Sequence, residues 1–293
     1  DSSAWFLNEE INILDVQALQ QKDFVTQLRV QVEASPGRSL LVVVHGFREA
    51  YPSALRKTAF LAHVLDIDTP VLVFDWPGNQ GSSLRGYRSA RRVATESGTE
   101  LAATLELIIK QVQPDRLWLM ANSMGAQVVV DAFSQLYQEA EFSDSQTEIE
   151  NVVLTAADVD HSMFNDQFKQ DIKALADHIT GSVSSNDRAL LASRWINRGQ
   201  RLGESTLDPA NPGQVDQASS FAELVEPGSE QLVLVDVTPV NRTRNFHNFS
   251  LETPEFFDDL FLRFTGTGLP QTRELYPLLT PDNRRYYVLT RGR

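Results

Sequence analysis

Five short runs rich in β-branched and other apolar residues constrain this chain most: Leu40 to His45, Val71 to Trp76, Leu117 to Ala121, Val152 to Ala156 and Leu232 to Val237. Their hydrophobicity is continuous rather than alternating, so each needs apolar cover on both faces, the condition of a parallel sheet flanked by helices. Pro52 to Leu65, Met124 to Tyr137 and Met163 to Asp177 read as helices between them. So does a segment in which Ser97 and Glu100 have capping-box spacing ahead of an apolar stripe of Leu101, Leu105, Ile108, Ile109 and Val112, although this helix can also begin near Tyr87. His178 to Ser184 adds a sixth, less apolar strand. The repeated β-α-β-α order implies right-handed crossovers and a mostly parallel α/β sheet with helices on both faces.

At 293 residues one large α/β domain spanning 1–293 is expected. Residues 200–230, with Pro209, Pro212 and Pro227 among polar neighbours, read as a lid or excursion. Pro254 to Phe264 reads as a closing amphipathic helix, and 265–293 as a C-terminal tail in which Tyr286 to Leu289 adds an edge strand.

Composition excludes several function classes. With 39 acidic against 26 basic residues, the formal charge of -13 repels nucleic acid, and the cluster Arg88, Arg91 and Arg92 reads as a solvated helix face. Cysteine is absent, which removes disulfides, thiolate metal sites and cysteine nucleophiles. No apolar run is long enough to span a bilayer. The chain starts at Asp1, which suggests removal of an N-terminal segment, and a periplasmic or envelope setting is favoured over a cytoplasmic one. No dinucleotide or phosphate-loop motif occurs, so no cofactor is expected. Asp158-x-Asp160-His161 reads as a strand-end loop with helix-capping aspartates rather than a metal site. Trp5, Trp76, Trp118 and Trp195 are expected in the core or in pocket walls, and Asn241-Arg242-Thr243 and Asn248-Phe249-Ser250 match glycosylation acceptors.

The segment Leu117 to Val129 carries the chemistry. An apolar run stops at Ser123 among small residues and resumes in a helical pattern, as in a nucleophile elbow, where a sharp strand-to-helix turn exposes the serine hydroxyl. Gly125 meets the demand for a small residue two positions after the serine, while Ala121 stands where glycine is usual two before it. A serine hydroxyl at neutral pH needs a histidine base and a carboxylate to orient that base. Of the five histidines, His161, His178 and His247 follow Ser123. His247 sits between the last apolar strand and the closing helix and is the expected base; His161 comes too early and His178 starts a strand. Asp187, at the end of Ser184-Ser185-Asn186-Asp187, is the expected acid, with Asp158 as the alternative one strand earlier. Each aspartate is also a reasonable helix N-cap. Gly46, after the first strand, lets the backbone turn, so that the N–H groups of Phe47 and Met124 become the expected oxyanion donors. His45 is expected to be buried and hydrogen-bonded, shaping that loop.

With these parts in place the chain resembles the α/β-hydrolase superfamily. Within it, the chain is similar to a bacterial serine-hydrolase-like subfamily through Val44-His45-Gly46-Phe47, Phe74-Asp75-Trp76-Pro77, Asn122-Ser123-Met124-Gly125, Ala157-Asp158-Val159-Asp160, Ser184 to Leu190 and Arg201-Leu202-Gly203. The subfamily usually has histidine before the serine, whereas this chain has Asn122. The resemblance implies an α/β-hydrolase fold. The residues lead to the expectation of a serine hydrolase cleaving a carboxylic ester or related small acyl compound through an acyl-enzyme. The alternative is a binding or scaffold protein that retains the fold without catalysis. Action at a lipid interface requires an apolar face on 200–230, where Phe221, Leu224 and Val225 are too few.

Overall fold

The computed structural model describes residues 11–139, 142, 148–204, 224, 229–243, 246–280 and 283–291. Eight strands form one sheet: β1 (Ser39–Val44), β2 (Val71–Phe74), β3 (Arg116–Asn122), β4 (Ile149–Thr155), β5 (Ala176–Val183), β6 (Leu232–Asp236), β7 (Leu275–Leu279) and β8 (Arg285–Leu289). Their order is β2-β1-β3-β4-β5-β6-β8-β7, and every pairing is parallel except β7 with β8. Six of these strands are the six read from the sequence, within a few residues at each end.

The unbroken hydrophobicity of the strands has the expected cause. In β1, Leu40, Val42 and Val44 feed a core on one face while Leu41 feeds a second core on the other. Helices α1 (Gln21–Ala34), α3 (Leu84–Leu107), α4 (Gly125–Gln138) and α5 (Lys169–Leu175) contribute to the first core. Helices α2 (Tyr51–Leu65) and α7 (Pro254–Thr265), together with Leu190 of α6 (Arg188–Asn197), contribute to the second. No helix among the described residues is long and apolar enough to cross a membrane.

Several expectations need correction. Helix α1, which buries Val25, Leu28 and Val32, was not anticipated from the sequence. Helix α3 begins after Ser83, whose Oγ accepts the Gly86 N–H, so the start near Tyr87 holds and the capping box at Ser97 does not. Ser97 is buried within the helix beside Ala90, Ala94 and Gly98. A Cβ on Gly98 would come within 2.7 Å of the Asp131 Cβ, so these small residues let α3 approach α4 closely rather than mark a terminus. Helix α5 ends at Leu175, and Asp177 already lies in β5. Residues 265–293 supply two strands of the sheet: β8 lies inside, between β6 and β7, and the edge strand is β7. Trp76 and Trp118 are buried, while Trp195, 87% exposed on α6, is not in the core but lines a surface pocket with Leu84, Arg88 and Ile196. Trp5 lies outside the described residues, as does the excursion 200–230 apart from 200–204, 224, 229 and 230.

Behind the site, three of the distinctive motifs lock together. Leu202 N–H bonds Val159 O at 2.9 Å, Gly203 N–H bonds Ala157 O at 2.9 Å, and Ser184 N–H bonds Gly203 O at 2.8 Å. A Cβ on Gly203 would sit 2.4 Å from Ala157 N, so only glycine fits there. Arg201 is fully buried and donates from Nε to Asp158 Oδ1 at 2.7 Å and from Nη2 to Asp158 O at 2.9 Å. Removing one partner of a buried ion pair strands the other charge, at a cost of about 3–5 kcal/mol. Arg201→Ala is therefore expected to lower unfolding stability by about that amount in urea titration; a loss under about 1 kcal/mol, the scale of a surface pair, would show that the pair is not structural.

Candidate active site

The site forms at the carboxyl ends of the parallel strands, where open α/β sheets place their ligands. β3 ends at Asn122 and α4 begins at Gly125, so the chain must reverse within Ser123 and Met124. Ser123 takes φ 54°, a left-handed conformation costing a non-glycine residue about 1–3 kcal/mol unless its surroundings hold it. They do: Ser123 N–H bonds Thr155 O at 2.9 Å, and Ser123 O accepts the Asp158 N–H at 3.0 Å. A Cβ on Gly125 would lie 2.5 Å from His45 O and 2.6 Å from Val44 O. Glycine is thus required because α4 starts against the end of β1, a closer approach than the one to its own strand.

Ser123, His247 and Asp187 meet although 124 residues separate the first two. His247 Nε2 lies 2.9 Å from Ser123 Oγ, and His247 Nδ1 lies 2.7 Å from Asp187 Oδ2. Asp187 is fully buried, and its other oxygen accepts the N–H groups of Ala189 and Leu190 at 2.9 and 3.0 Å, capping α6. The two readings of Asp187, helix cap and partner of a histidine, describe the same carboxylate. Burial alone pushes the His247 pKa down, but the charge of Asp187 and its hydrogen bond outweigh that, and the net shift is upward from 6.5.

Asp158 is differently engaged. It accepts Tyr87 Oη at 2.7 Å, Ser193 Oγ at 2.6 Å and Arg201 Nε at 2.7 Å, which occupies its oxygens away from His247. Burial and the adjacent Asp158 charge push the Tyr87 hydroxyl up to about 12, keeping it a neutral donor. Asp160 caps the turn at His161–Met163 by accepting the Met163 N–H at 3.2 Å. Near Arg201, burial raises Glu204 to about 7. Among the described residues, no group of three or more His, Asp or Glu side chains is placed to hold a metal ion.

Phe47 follows the β1 turn and lines the cleft, while Met124 lies directly after Ser123 and is buried. Neither backbone N–H has a backbone hydrogen-bond partner among the described residues. His45 is buried as expected: its Nδ1 lies 3.0 Å from Gly46 O, its Nε2 lies 3.0 Å from Asp75 Oδ1, and its ring stacks on Trp76. Trp76 Nε1 donates to His45 O at 2.7 Å, tying the β1 turn to the residues after β2.

One residue with a structural role was missed in the sequence. Asn241 is 2% exposed and donates to Ser184 Oγ at 2.9 Å and to Phe246 O at 2.6 Å, joining the loop that carries Asp187 to the loop that carries His247. Its burial also rules out the glycosylation reading at that position. Asn248, by contrast, lines the cleft. The cleft above Ser123 encloses about 530 Å³, with Phe47, Tyr87, Asp158, Ser193 and His247 in its walls.

The family described as "Alpha/beta hydrolase of unknown function (DUF900)" matches residues 20–257, most of the chain. The chain belongs to this family. Its mostly parallel eight-stranded sheet is accordingly an α/β-hydrolase sheet. No curated protein matches the chain. Among solved structures, an uncharacterized protein from Bacillus cereus is 11% identical with a TM-score of 0.39, the match covering 86% of this chain and 67% of that one. An esterase from Pyrococcus furiosus is 13% identical with a TM-score of 0.42, the match covering 77% of this chain and 80% of that one. The family match, not these distant likenesses, carries the assignment of this α/β-hydrolase.

Proposed function

We propose that the chain, as a single domain, is a serine hydrolase that cleaves a carboxylic ester or related small acyl compound through an acyl-enzyme, without a cofactor. The observation that carries this reading is the continuous hydrogen-bonded relay Ser123 Oγ, His247 Nε2, His247 Nδ1 and Asp187 Oδ2, with links of 2.9 and 2.7 Å. Ser123 attacks the carbonyl carbon as His247 takes its proton. The same imidazolium then protonates the leaving group, and water deacylates the serine by the reverse path. Asp187 stabilises the imidazolium and holds its tautomer. Phe47 and Met124 donate their N–H groups to the oxyanion, each worth roughly 3 kcal/mol of transition-state stabilisation. A scaffold without catalysis has no need of a serine strained at φ 54° within reach of a buried imidazole–carboxylate pair.

The test is labelling with a fluorophosphonate, which reacts only with an activated serine, alongside turnover of acyl esters. A single adduct mapping to Ser123 is expected. Absence of labelling with the protein folded, or an adduct elsewhere, overturns the assignment.

The pH dependence follows from the same pair. His247 must be neutral to accept the serine proton, and its pKa lies above 6.5. Activity is therefore lost as pH falls through the raised value, so the acid limb of kcat/KM is expected to have its midpoint above 6.5. A midpoint below 6.5 would show that Asp187 does not hold the charged imidazole in the free protein.

A further inference from the structure

Beside the cleft lies a second, smaller cavity of about 50 Å³ between α2 and the sheet. Its wall is mostly apolar, with Val43, Ala54, Leu61, Met120 and Leu251, and the buried Thr58 and Ser250 add two hydroxyls. It adjoins the cleft, since Gly46, Glu49, Lys57, Asn122 and Asn248 line both. At that boundary Gly46 packs directly on the serine: a Cβ there would lie 3.1 Å from Ser123 Cβ. The Asn122 side-chain amide lies beside it, 3.3 Å from the same point, so Gly46 and Asn122 form the boundary between Ser123 and the cavity on that side.

We propose that this cavity receives the acyl chain of the substrate and limits it to a short, uncharged chain. The assignment rests on the serine-hydrolase reading above. Its direction follows from the position of the base. His247 lines the cleft and not the cavity. The leaving group must take its proton from His247 and so occupies the cleft, which leaves the cavity to the other substituent of the carbonyl carbon.

Size sets the chain length. A dry apolar cavity of about 150 Å³ holds the six carbons of benzene. A volume of about 50 Å³ therefore takes about two carbons beyond the carbonyl, three with slight side-chain movement. The far end is closed by Leu61 and Met120, 1% and 3% exposed, which belong to the second core. Charge sets the other limit. Lys57 Nζ is paired with Glu49, and Ser53 Oγ donates to Glu49 at 2.6 Å, so the collar at the mouth is internally neutralised. A charged acyl chain would find no free counter-ion there and would lose its hydration uncompensated.

The test is kcat/KM for the p-nitrophenyl esters of acetate, butyrate, hexanoate and octanoate, and of a succinate half-ester. A rise of about fourfold per methylene is expected from acetate to butyrate, the gain from burying each CH₂. A fall of at least about tenfold is expected by octanoate, and the succinyl ester should fall below butyrate by a similar factor. Leu61→Ala deepens the cavity and is expected to move the optimum to hexanoate; Ala54→Leu fills it and should bring the butyrate-to-acetate ratio to about one. The unmodified protein's own chain-length profile decides the matter even where a variant fails to fold. A flat profile, or an optimum at octanoate, overturns the cavity assignment and leaves the hydrolase reading intact. No turnover of any ester overturns the hydrolase reading and this assignment with it.

Discussion

Ser123→Ala is expected to lower kcat for acyl esters by roughly a millionfold, because removing the nucleophile ends the covalent route and leaves only binding and oxyanion stabilisation. The fold should survive the change. Ser123 is 7% exposed and its backbone contacts to Thr155 O and the Asp158 N–H do not involve the hydroxyl. Alanine bears the φ of 54° no worse than serine, since the strain lies in having a Cβ at all. The measurement is turnover of a p-nitrophenyl ester beside fluorophosphonate labelling, with thermal unfolding as the control. A variant that still labels, or keeps more than about a thousandth of its kcat, shows that another group attacks.

Asp187→Asn is expected to lower kcat by about 10⁴-fold with little loss of stability. The amide oxygen of asparagine can still accept the N–H groups of Ala189 and Leu190, so the cap on α6 persists. The other position becomes an NH₂ donor facing His247 Nδ1. The imidazole must then present its lone pair at Nδ1 and carry its proton on Nε2, where it cannot accept the serine proton. Asp187→Ala loses catalysis to a similar extent and the cap as well, a further cost of about 1 kcal/mol. Comparing kcat and urea stability for the two variants separates the roles. If Asp187→Asn destabilises as much as Asp187→Ala, or keeps kcat within about tenfold, the carboxylate serves the fold and not the base.

Much of the architecture is legible because burial on both faces of a strand leaves a local mark. Leu40 to Val44 contributes to two cores, and the unbroken apolar run records this. The small residue at Gly125 is legible from the local turn pattern, but the contact that requires it, against Val44 and His45 at the end of β1, is tertiary. For α3 the start near Tyr87 holds and the capping box at Ser97 fails, because a small residue that lets two helices approach looks the same in sequence as one that caps a terminus. Strand β8 looked like an edge because Tyr286 to Leu289 is short, yet it lies between β6 and β7. Trp195 meets the pocket-wall half of its expectation, not the core half: it is exposed on α6 and lines a surface pocket with Leu84, Arg88 and Ile196.

From sequence alone came the α/β order of elements, the two-sided cover of the sheet, the tight turn at Ser123, and the nomination of His247 and two aspartates. All of these depend on neighbours within a few residues or on chain order. The tertiary structure decided what depends on loops distant in sequence. It brought Asp187 to His247, committed Asp158 to Arg201, Tyr87 and Ser193, and used Asn241 to join the two loops of the relay. A buried polar group is stable only with a partner, and which partner it finds is set by how the strand ends converge in space, which periodicity does not encode.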